Sequence, residues 1–114
     1  MITLDYRDKR PIYEQIISQI QRLIVTEVLK ADDKLPSVRS LAMELSINPN
    51  TIQRAYMQLE NDGWLYTIKG KGNFVSDKSG WHSQERLAAI ESLKKEINKA
   101  KALGITKDEI IELI

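Results

Sequence analysis

Cysteine is absent from this chain of 114 residues, and histidine occurs once, as His82. The absence of cysteine excludes disulfides and thiolate metal sites, and it is typical of proteins from a reducing cytosol. No Ser/His/Asp, metal-ligand or phosphate-loop spacing is present. We therefore expect no enzymatic activity, no cofactor and no metal site, and we expect His82 to be a solvated linker residue.

Long apolar runs and a strong net charge are also missing. No run approaches the roughly 18 apolar residues of a membrane-spanning helix, and the N-terminal residues MITLDYRDKRP lack the apolar core of a signal peptide. These features predict a cytoplasmic protein without a membrane partner. The net charge is only +1, so any binding of nucleic acid would depend on a small basic surface, doubled if the chain dimerises.

The first long helix is predicted from Pro11 to about Leu29. Proline suits the first helical position because its φ is already helical and its missing N–H is not needed there. Apolar side chains recur at three- and four-residue spacing and form one stripe. The stripe consists of Ile16, Ile17, Ile20, Leu23, Ile24 and Val28. Around this helix, Ile2 and Leu4 indicate a short edge strand, and residues 31–34 indicate a polar connection.

Two short helices separated by a tight turn are predicted next. Ser37 is a good N-cap for the second helix, and Asn48 followed by Pro49 is a paired start signal for the third. Ser46 and Ile47 form the turn between them. Apolar positions at helical spacing should be buried. These are Val38, Leu41, Ala42 and Leu45 in the second helix, and Ile52, Ala55, Tyr56 and Leu59 in the third.

A β-hairpin is predicted after Gly63, which should end the third helix. Residues 64–68 and 73–75 are β-prone, and the Lys-Gly-Lys-Gly tip at residues 69–72 contains glycines that permit positive φ. The order helix, turn, helix, hairpin is that of a winged helix-turn-helix, which typically places one helix in the major groove of DNA. The predicted fold class is therefore mainly α with a small β-hairpin: a winged helix-turn-helix followed by a short two-helix tail.

The third helix and the hairpin carry side chains suited to DNA. Asn and Gln pair with adenine, Arg pairs with guanine, and a Thr methyl contacts the thymine methyl. Hydroxyls, helix N-termini and cations position phosphates. Between residues 48 and 58 the only charged side chain is Arg54. We expect base contacts from Asn50, Thr51, Gln53 and Arg54 on a helix that starts at Asn48 and Pro49, phosphate contacts from Ser37, Arg39, Thr67 and Lys71, and a minor-groove contact from Lys69 beside Gly70.

The C-terminal part is predicted to hold two helices, at residues 84–103 and 107–113, separated by Gly104 and by a capping box that starts at Thr106. The expected domains are 1–76 for DNA binding, 77–83 as linker and 84–114 as dimerisation tail. Two such helices cannot close a core alone, so their apolar side chains need a partner, and we favour a second copy of the chain over the winged domain. The expected dimerisation residues are Leu87, Ile90, Leu93, Ile97, Ala100, Leu103, Ile110, Ile111 and Leu113.

A spaced set of residues between positions 10 and 76 matches one known family. The matching residues are Leu35, Pro36, Ser37, Arg39, Leu41, Ala42, Leu45, Asn50, Thr51, Ala55, Leu59, Gly63, Gly70, Gly72, Phe74 and Val75. On these residues the segment resembles the DNA-binding domain of the GntR family of bacterial transcription regulators. The resemblance implies that Arg39, the start of the third helix and the wing glycine contact an operator.

Residues 47–51, 54–56, 66–67 and 103–106 are most similar to the small YtrA-like branch of that family. The resemblance implies a tail that dimerises, no large ligand domain, and repression of operons that encode ABC transporters. We therefore expect a homodimeric repressor that binds a palindromic operator in double-stranded DNA. Glu27 and Asp32 stand where many members have glycine, and Pro49 stands where other branches often have a basic residue, so base preference cannot be transferred from those branches.

Two further functions stay open from the sequence alone. A winged helix can serve purely as a protein-interaction module, but such modules tend to carry acidic or apolar residues on the outer face of the third helix. On that face this chain has neither, apart from Met57, and its wing is cationic. A small-molecule effector could bind in a cleft near Trp64, Tyr66 or Trp81, since pockets favour interfaces. The sequence does not indicate such an effector, and it leaves the operator, the regulated genes and the natural C-terminus undetermined.

Overall fold

The secondary structure follows the predicted order with changes at the element ends. The computed structural model describes residues 2–81 and 84–114, apart from the side chain of Ser79. The elements are α1 (Ile12–Val25), α2 (Val38–Leu45), α3 (Pro49–Asn61), β1 (Leu65–Ile68), β2 (Gly72–Val75), a 3-10 turn (Lys78–Gly80), α4 (Gln84–Ala102) and α5 (Lys107–Glu112). They form two compact units, Met1–Ser83 and Gln84–Ile114. The expectation for His82 lies outside the described residues.

Helix α1 is shorter than the sequence predicts. The expected end near Leu29 is wrong, because the helix stops at Val25 and Glu27 adopts a left-handed φ of 61°. The chain then turns back, and the Leu29 backbone N–H donates to the carbonyl of Leu23 at 2.9 Å, which closes the helix end. Val28, expected in the buried stripe, is consequently 58% exposed.

The core of the first unit is built from α1, α2, α3 and the hairpin. Helix α3 lies centrally and packs against α1, α2 and β1. The predicted inward face of α3 is confirmed in full, whereas Val38 and Leu45 of α2 are only half-buried. The buried apolar residues are Ile16, Ile20, Ile24, Leu35, Leu41, Ala42, Ile52, Ala55, Tyr56, Leu59, Trp64, Leu65 and Val75.

The N-terminal segment is held by side chains of α1 rather than by a strand. Ile2 and Leu4 do not lie in a strand, so that prediction is wrong. Instead, the Gln19 side chain accepts from the Thr3 backbone N–H at 2.8 Å and donates to the Thr3 carbonyl. Buried Gln15 accepts from Asp5 N at 3.0 Å and donates to the Asp5 carbonyl at 3.1 Å. The two amides thus replace the hydrogen bonds that a neighbouring strand would supply.

The segment that leads into α2 pairs with the free edge of β2, with an isolated bridge between Lys34 and Phe74. β1 and β2 pair antiparallel, with Leu65 opposite Val75 and Ile68 opposite Gly72. On the other edge of β2, Asp32 N donates to the Val75 carbonyl at 2.8 Å, and Leu35 N donates to the Asn73 carbonyl at 2.9 Å. Residues 31–34 are exposed and form the predicted polar connection between α1 and α2. The segment also covers an edge of the hairpin, a role that its sequence did not indicate.

Part of the expected linker is ordered against the first unit. After β2 the chain makes the 3-10 turn at Lys78–Gly80, and the ring of Trp81 packs on Trp64 with centroids 4.7 Å apart. Trp64 is buried and lies just after α3. The aromatic pair therefore covers the end of α3 and the start of β1.

The second unit contains α4 and α5, joined as the sequence predicts. Gly104 has a φ of 83°, and the Thr106 hydroxyl accepts from the Glu109 backbone N–H at 3.2 Å. None of the described side chains in α4 or α5 is buried. Leu93 in α4 is 60% exposed, and Leu103, which follows α4, is 74% exposed. Within the described part of the chain, every helix is too short or too polar to cross a membrane.

Candidate nucleic-acid interface

The starts of α2 and α3 are fixed by side-chain caps. The Ser37 hydroxyl accepts from Ser40 N at 3.0 Å, and the Asn48 side-chain oxygen accepts from Asn50 N at 2.8 Å. Between the helices Ser46 adopts a left-handed φ of 55°, which makes the turn tight. Both predicted caps are confirmed. Ser37 and Asn48 therefore hold helix ends in place, and the first-turn N–H groups of α2 that Ser37 does not engage are suited to phosphate oxygens.

The outer face of α3 is polar and exposed over most of its length. Asn50, Gln53, Arg54 and Met57 are exposed, while Thr51 is half-buried. The first acidic side chain of α3 is Glu60, near its C-terminal end. The outer face therefore offers amide donors and acceptors to a ligand. Over its first three turns it carries no carboxylate that would repel phosphates.

Arg54 does not project freely from α3. Its guanidinium carbon lies 3.7 Å from the ring centroid of Tyr13, in the first turn of α1. The sequence predicted Arg54 as a base-contacting residue but did not predict this stacking. The two residues are far apart in the chain, so no local pattern could have indicated the contact. Arg54 thus combines an exposed position with a defined side-chain orientation.

The tip of the hairpin forms an exposed basic loop. Lys69, Gly70 and Lys71 are all exposed, and Gly70 has a φ of 80°. The Lys71 backbone N–H donates to the Ile68 carbonyl at 2.9 Å and closes the turn. The predicted wing is therefore present with both lysines at its tip, next to the left-handed glycine that the turn requires.

The exposed Thr67 side chain contacts two other side chains of the first unit. Its hydroxyl oxygen lies 2.8 Å from the Glu60 carboxylate and 2.9 Å from the side-chain oxygen of Asn73. These contacts connect the end of α3 to both strands of the hairpin. Thr67 and Glu60 therefore link the hairpin to α3, and this link depends on tertiary structure that no local sequence pattern displays.

Two tyrosines secure the segment that precedes α2. The Tyr56 hydroxyl donates to the Pro36 carbonyl at 2.8 Å, and burial, followed by the nearby Glu44 carboxylate, raises the pKa of Tyr56. The Tyr66 hydroxyl donates to the Asp32 carboxylate at 2.6 Å, and this hydrogen bond raises the pKa of Tyr66. Both phenols therefore stay protonated donors at neutral pH. They fix the start of α2, where Ser37 and exposed Arg39 lie.

No group of three or more histidine, aspartate or glutamate side chains placed to hold a metal ion occurs among residues 2–81 and 84–114. The groups that the first unit assembles on one side of α3 are amides, hydroxyls, backbone N–H donors and cations. Such groups bind the edges of bases and the oxygens of phosphates.

These features define a winged helix-turn-helix of the DNA-binding type. Residues 12–75 match the family described as "Bacterial regulatory proteins, gntR family". The chain belongs to the GntR family, and it is a DNA-binding transcription regulator of that family.

Three relatives illustrate the similarity. The HTH-type transcriptional repressor YtrA of Bacillus subtilis is 40% identical over 116 residues, which cover 100% of this chain and 89% of that protein. YtrA from Sulfolobus acidocaldarius superposes with a TM-score of 0.68 at 32% identity, covering 84% of this chain and 97% of that one. The AraR DNA-binding domain in complex with operator ORE1 has a TM-score of 0.57 at 28% identity, covering 67% of this chain and 93% of that one. The YtrA-like branch is thereby confirmed, and these relatives are regulators rather than enzymes.

Proposed function

We propose that the protein is a homodimeric repressor that binds a palindromic operator in double-stranded DNA. Each α3 enters the major groove of one half-site, and each hairpin tip lies in the flanking minor groove. The observation that carries this proposal is the capped, exposed, acid-free outer face of α3 beside an exposed basic wing. Because DNA is its ligand, the protein acts in the cytoplasm.

The proposed contacts divide into those with bases and those with the backbone. Asn50, Thr51, Gln53 and Arg54 contact base edges, since they form the exposed N-terminal half of α3. Arg39, Lys71 and the N–H groups at the start of α2 contact phosphates, and Lys69 beside Gly70 enters the minor groove. Ser37, Asn48 and Pro49 act by fixing the helix starts, and Thr67 acts by fixing the wing.

Dimerisation is proposed through the second unit. A 19-residue helix without buried side chains is marginally stable in isolation, so α4 needs a partner surface. Its apolar residues repeat at three- and four-residue spacing, which suits pairing with another helix. The proposed interface residues are Leu87, Ile90, Leu93, Ile97, Ala100, Leu103, Ile110, Ile111 and Leu113. A second copy of the chain supplies the complementary surface and doubles the small basic area.

Repression is proposed because the Bacillus subtilis relative, which this chain matches over its full length, is named a transcriptional repressor. A bound dimer would block access of the polymerase to the promoter. The resemblance to the YtrA-like branch favours an operon that encodes a transporter as the regulated target.

Selection from a random pool of double-stranded DNA, repeated at two salt concentrations, tests this function. We expect a palindromic motif whose half-site spacing reports the geometry of the dimer, with affinity that falls steeply as salt rises. Weak binding at both salts without any enriched motif would contradict sequence-specific recognition and favour a protein-interaction module.

A further inference from the structure

The stacking of Arg54 on Tyr13 connects α3 to the first turn of α1. The guanidinium carbon lies 3.7 Å above the centre of the ring, a distance at which a cation–π contact is favourable. Arg54 is the only charged side chain between residues 48 and 58. The one cation of the helix face proposed to enter the major groove is therefore placed by a residue outside the helix-turn-helix.

The stacked guanidinium keeps its hydrogen-bonding edge available. Within the described part of the chain, no carboxylate lies at ion-pair distance from Arg54. Stacking uses the flat face of the guanidinium, whereas its N–H donors point outward in its plane. Arg54 can therefore contact a guanine edge while it remains on the Tyr13 ring.

Tyr13 is itself held in place. The residue is half-buried in α1, and its hydroxyl donates to the Glu14 carboxylate at 3.4 Å. The start of α1 is fixed by Gln15, whose side-chain amide donates to the carbonyls of Asp5 and Arg10 at 3.1 and 3.2 Å. The ring is thus a prepared platform rather than a loosely attached side chain.

We propose that Tyr13 is a specificity-determining residue that acts through Arg54. The ring restricts the guanidinium to one orientation before DNA arrives, which lowers the conformational entropy lost when Arg54 pairs with a guanine. Tyr13 is a positioning residue, since its effect on base selection passes through Arg54. This inference rests on the proposed base contact of Arg54.

The test uses the full-length protein and the DNA motif obtained from the random pool. For each variant, the affinity for the motif is compared with the affinity for its single base-pair substitutions. Arg54→Ala identifies the base pair that Arg54 selects. Tyr13→Leu should lower discrimination at that same base pair roughly two- to fivefold, the range of an exposed cation–π contact, while Tyr13→Phe, which retains the ring, should preserve most of it.

Two further variants separate an effect of Tyr13 on the orientation of Arg54 from a general effect on the structure of the protein. The double variant Tyr13→Leu/Arg54→Ala should discriminate no worse than Arg54→Ala alone, because both changes remove the same contact. Tyr6→Leu is the matched control, since Tyr6 is an exposed tyrosine in the N-terminal segment, and it should leave discrimination unchanged. Thermal unfolding should show that all variants are folded.

The outcomes distinguish failure of the base contact by Arg54 from failure of the positioning role of Tyr13. If Arg54→Ala relaxes selection at no base pair, the proposed base contact of Arg54 fails. If Arg54→Ala relaxes selection but Tyr13→Leu leaves it intact, tightens binding, or weakens all sequences equally, the base contact stands and the positioning role of Tyr13 is overturned.

Discussion

At the scale of single residues, Glu27 and Asp32 have the backbone conformation of glycine without being glycine. Their φ angles are 61° and 69°, in the left-handed region that favours glycine. A left-handed conformation costs an ordinary residue about 1–2 kcal/mol. Asp32 offsets this cost because its carboxylate accepts from the Tyr66 hydroxyl. The Glu27 carboxylate makes a long ion pair with Lys78, at 4.0 Å between exposed side chains, which compensates little for the strain.

Glu27→Gly should therefore stabilise the protein. Relief of the left-handed strain outweighs the extra entropy of glycine in the unfolded chain, and we expect a gain of about 0.5–1 kcal/mol in the free energy of unfolding. Asp32→Gly is the matched comparison and should gain less or lose stability, since it also removes the hydrogen bond to Tyr66. Thermal or urea unfolding measures both. A loss of stability in Glu27→Gly would show that the left-handed residue is not strained.

Lys71 at the wing tip should bind a DNA phosphate through its charge, so its contribution to affinity should not depend on the DNA sequence. Lys71→Ala should weaken binding by a similar factor on all DNA sequences and reduce the slope of log K against log salt by about one unit. Lys95→Ala, an exposed lysine of α4, is the control and should leave the slope unchanged. Fluorescence anisotropy titrations at several salt concentrations measure the slope. Loss of affinity on one sequence only would argue against a phosphate contact.

At the scale of elements, caps and periodicity predicted most of the fold. Ser37, Asn48 and Gly104 mark helix ends by local chemistry that a sequence displays directly. The end of α1 was predicted wrongly because Glu27 adopts a conformation that its residue type disfavours. The pairing of residues 32–35 with β2 was missed because it joins distant parts of the chain and involves polar residues.

The candidate site was predictable to the same extent. Exposure of the outer face of α3 follows from its period, since the residues that are not buried must face away from the core. The orientation of Arg54 and the engagement of Thr67 depend on Tyr13 and Glu60, which lie on other elements. The sequence therefore predicts which side chains of α3 are exposed, but it does not predict which side chains of other elements they contact.

The hydrogen bond between Glu60 and Thr67 should position the wing. Glu60→Gln keeps an acceptor for the Thr67 hydroxyl and removes a negative charge beside the DNA surface, so it should bind the operator at least as tightly as the natural protein. Glu60→Ala removes the acceptor as well and should bind less tightly than Glu60→Gln by about 0.5–1.5 kcal/mol. Equal affinities of the two variants, measured by the same titration, would mean that the hydrogen bond does not position the wing.

At the scale of the whole molecule, the proposed dimer depends on the exposed apolar side chains of the tail. Leu93→Glu places a charge within the proposed interface and should convert the dimer to a monomer at micromolar concentration. The side chain is 60% exposed in the single chain, so the winged domain should keep its fold. Lys95→Glu, a larger change of charge at an exposed position of the same helix, is the matched control. Sedimentation equilibrium gives the masses, and a Leu93→Glu protein that remains dimeric would place the interface elsewhere.

The absence of cysteine makes one direct measurement of the DNA-bound arrangement simple. A single cysteine replaces either exposed Met57 on the outer face of α3 or exposed Ile68 beside the wing tip, and an iron chelate attached to it cleaves the nearest DNA backbone. With the selected operator, we expect the Met57→Cys protein to cut at the major groove of each half-site and the Ile68→Cys protein to cut at the flanking minor groove, each at two symmetric places. Cleavage from Ile68→Cys alone, or a single unsymmetric cut, would contradict a dimer that inserts α3 into two half-sites.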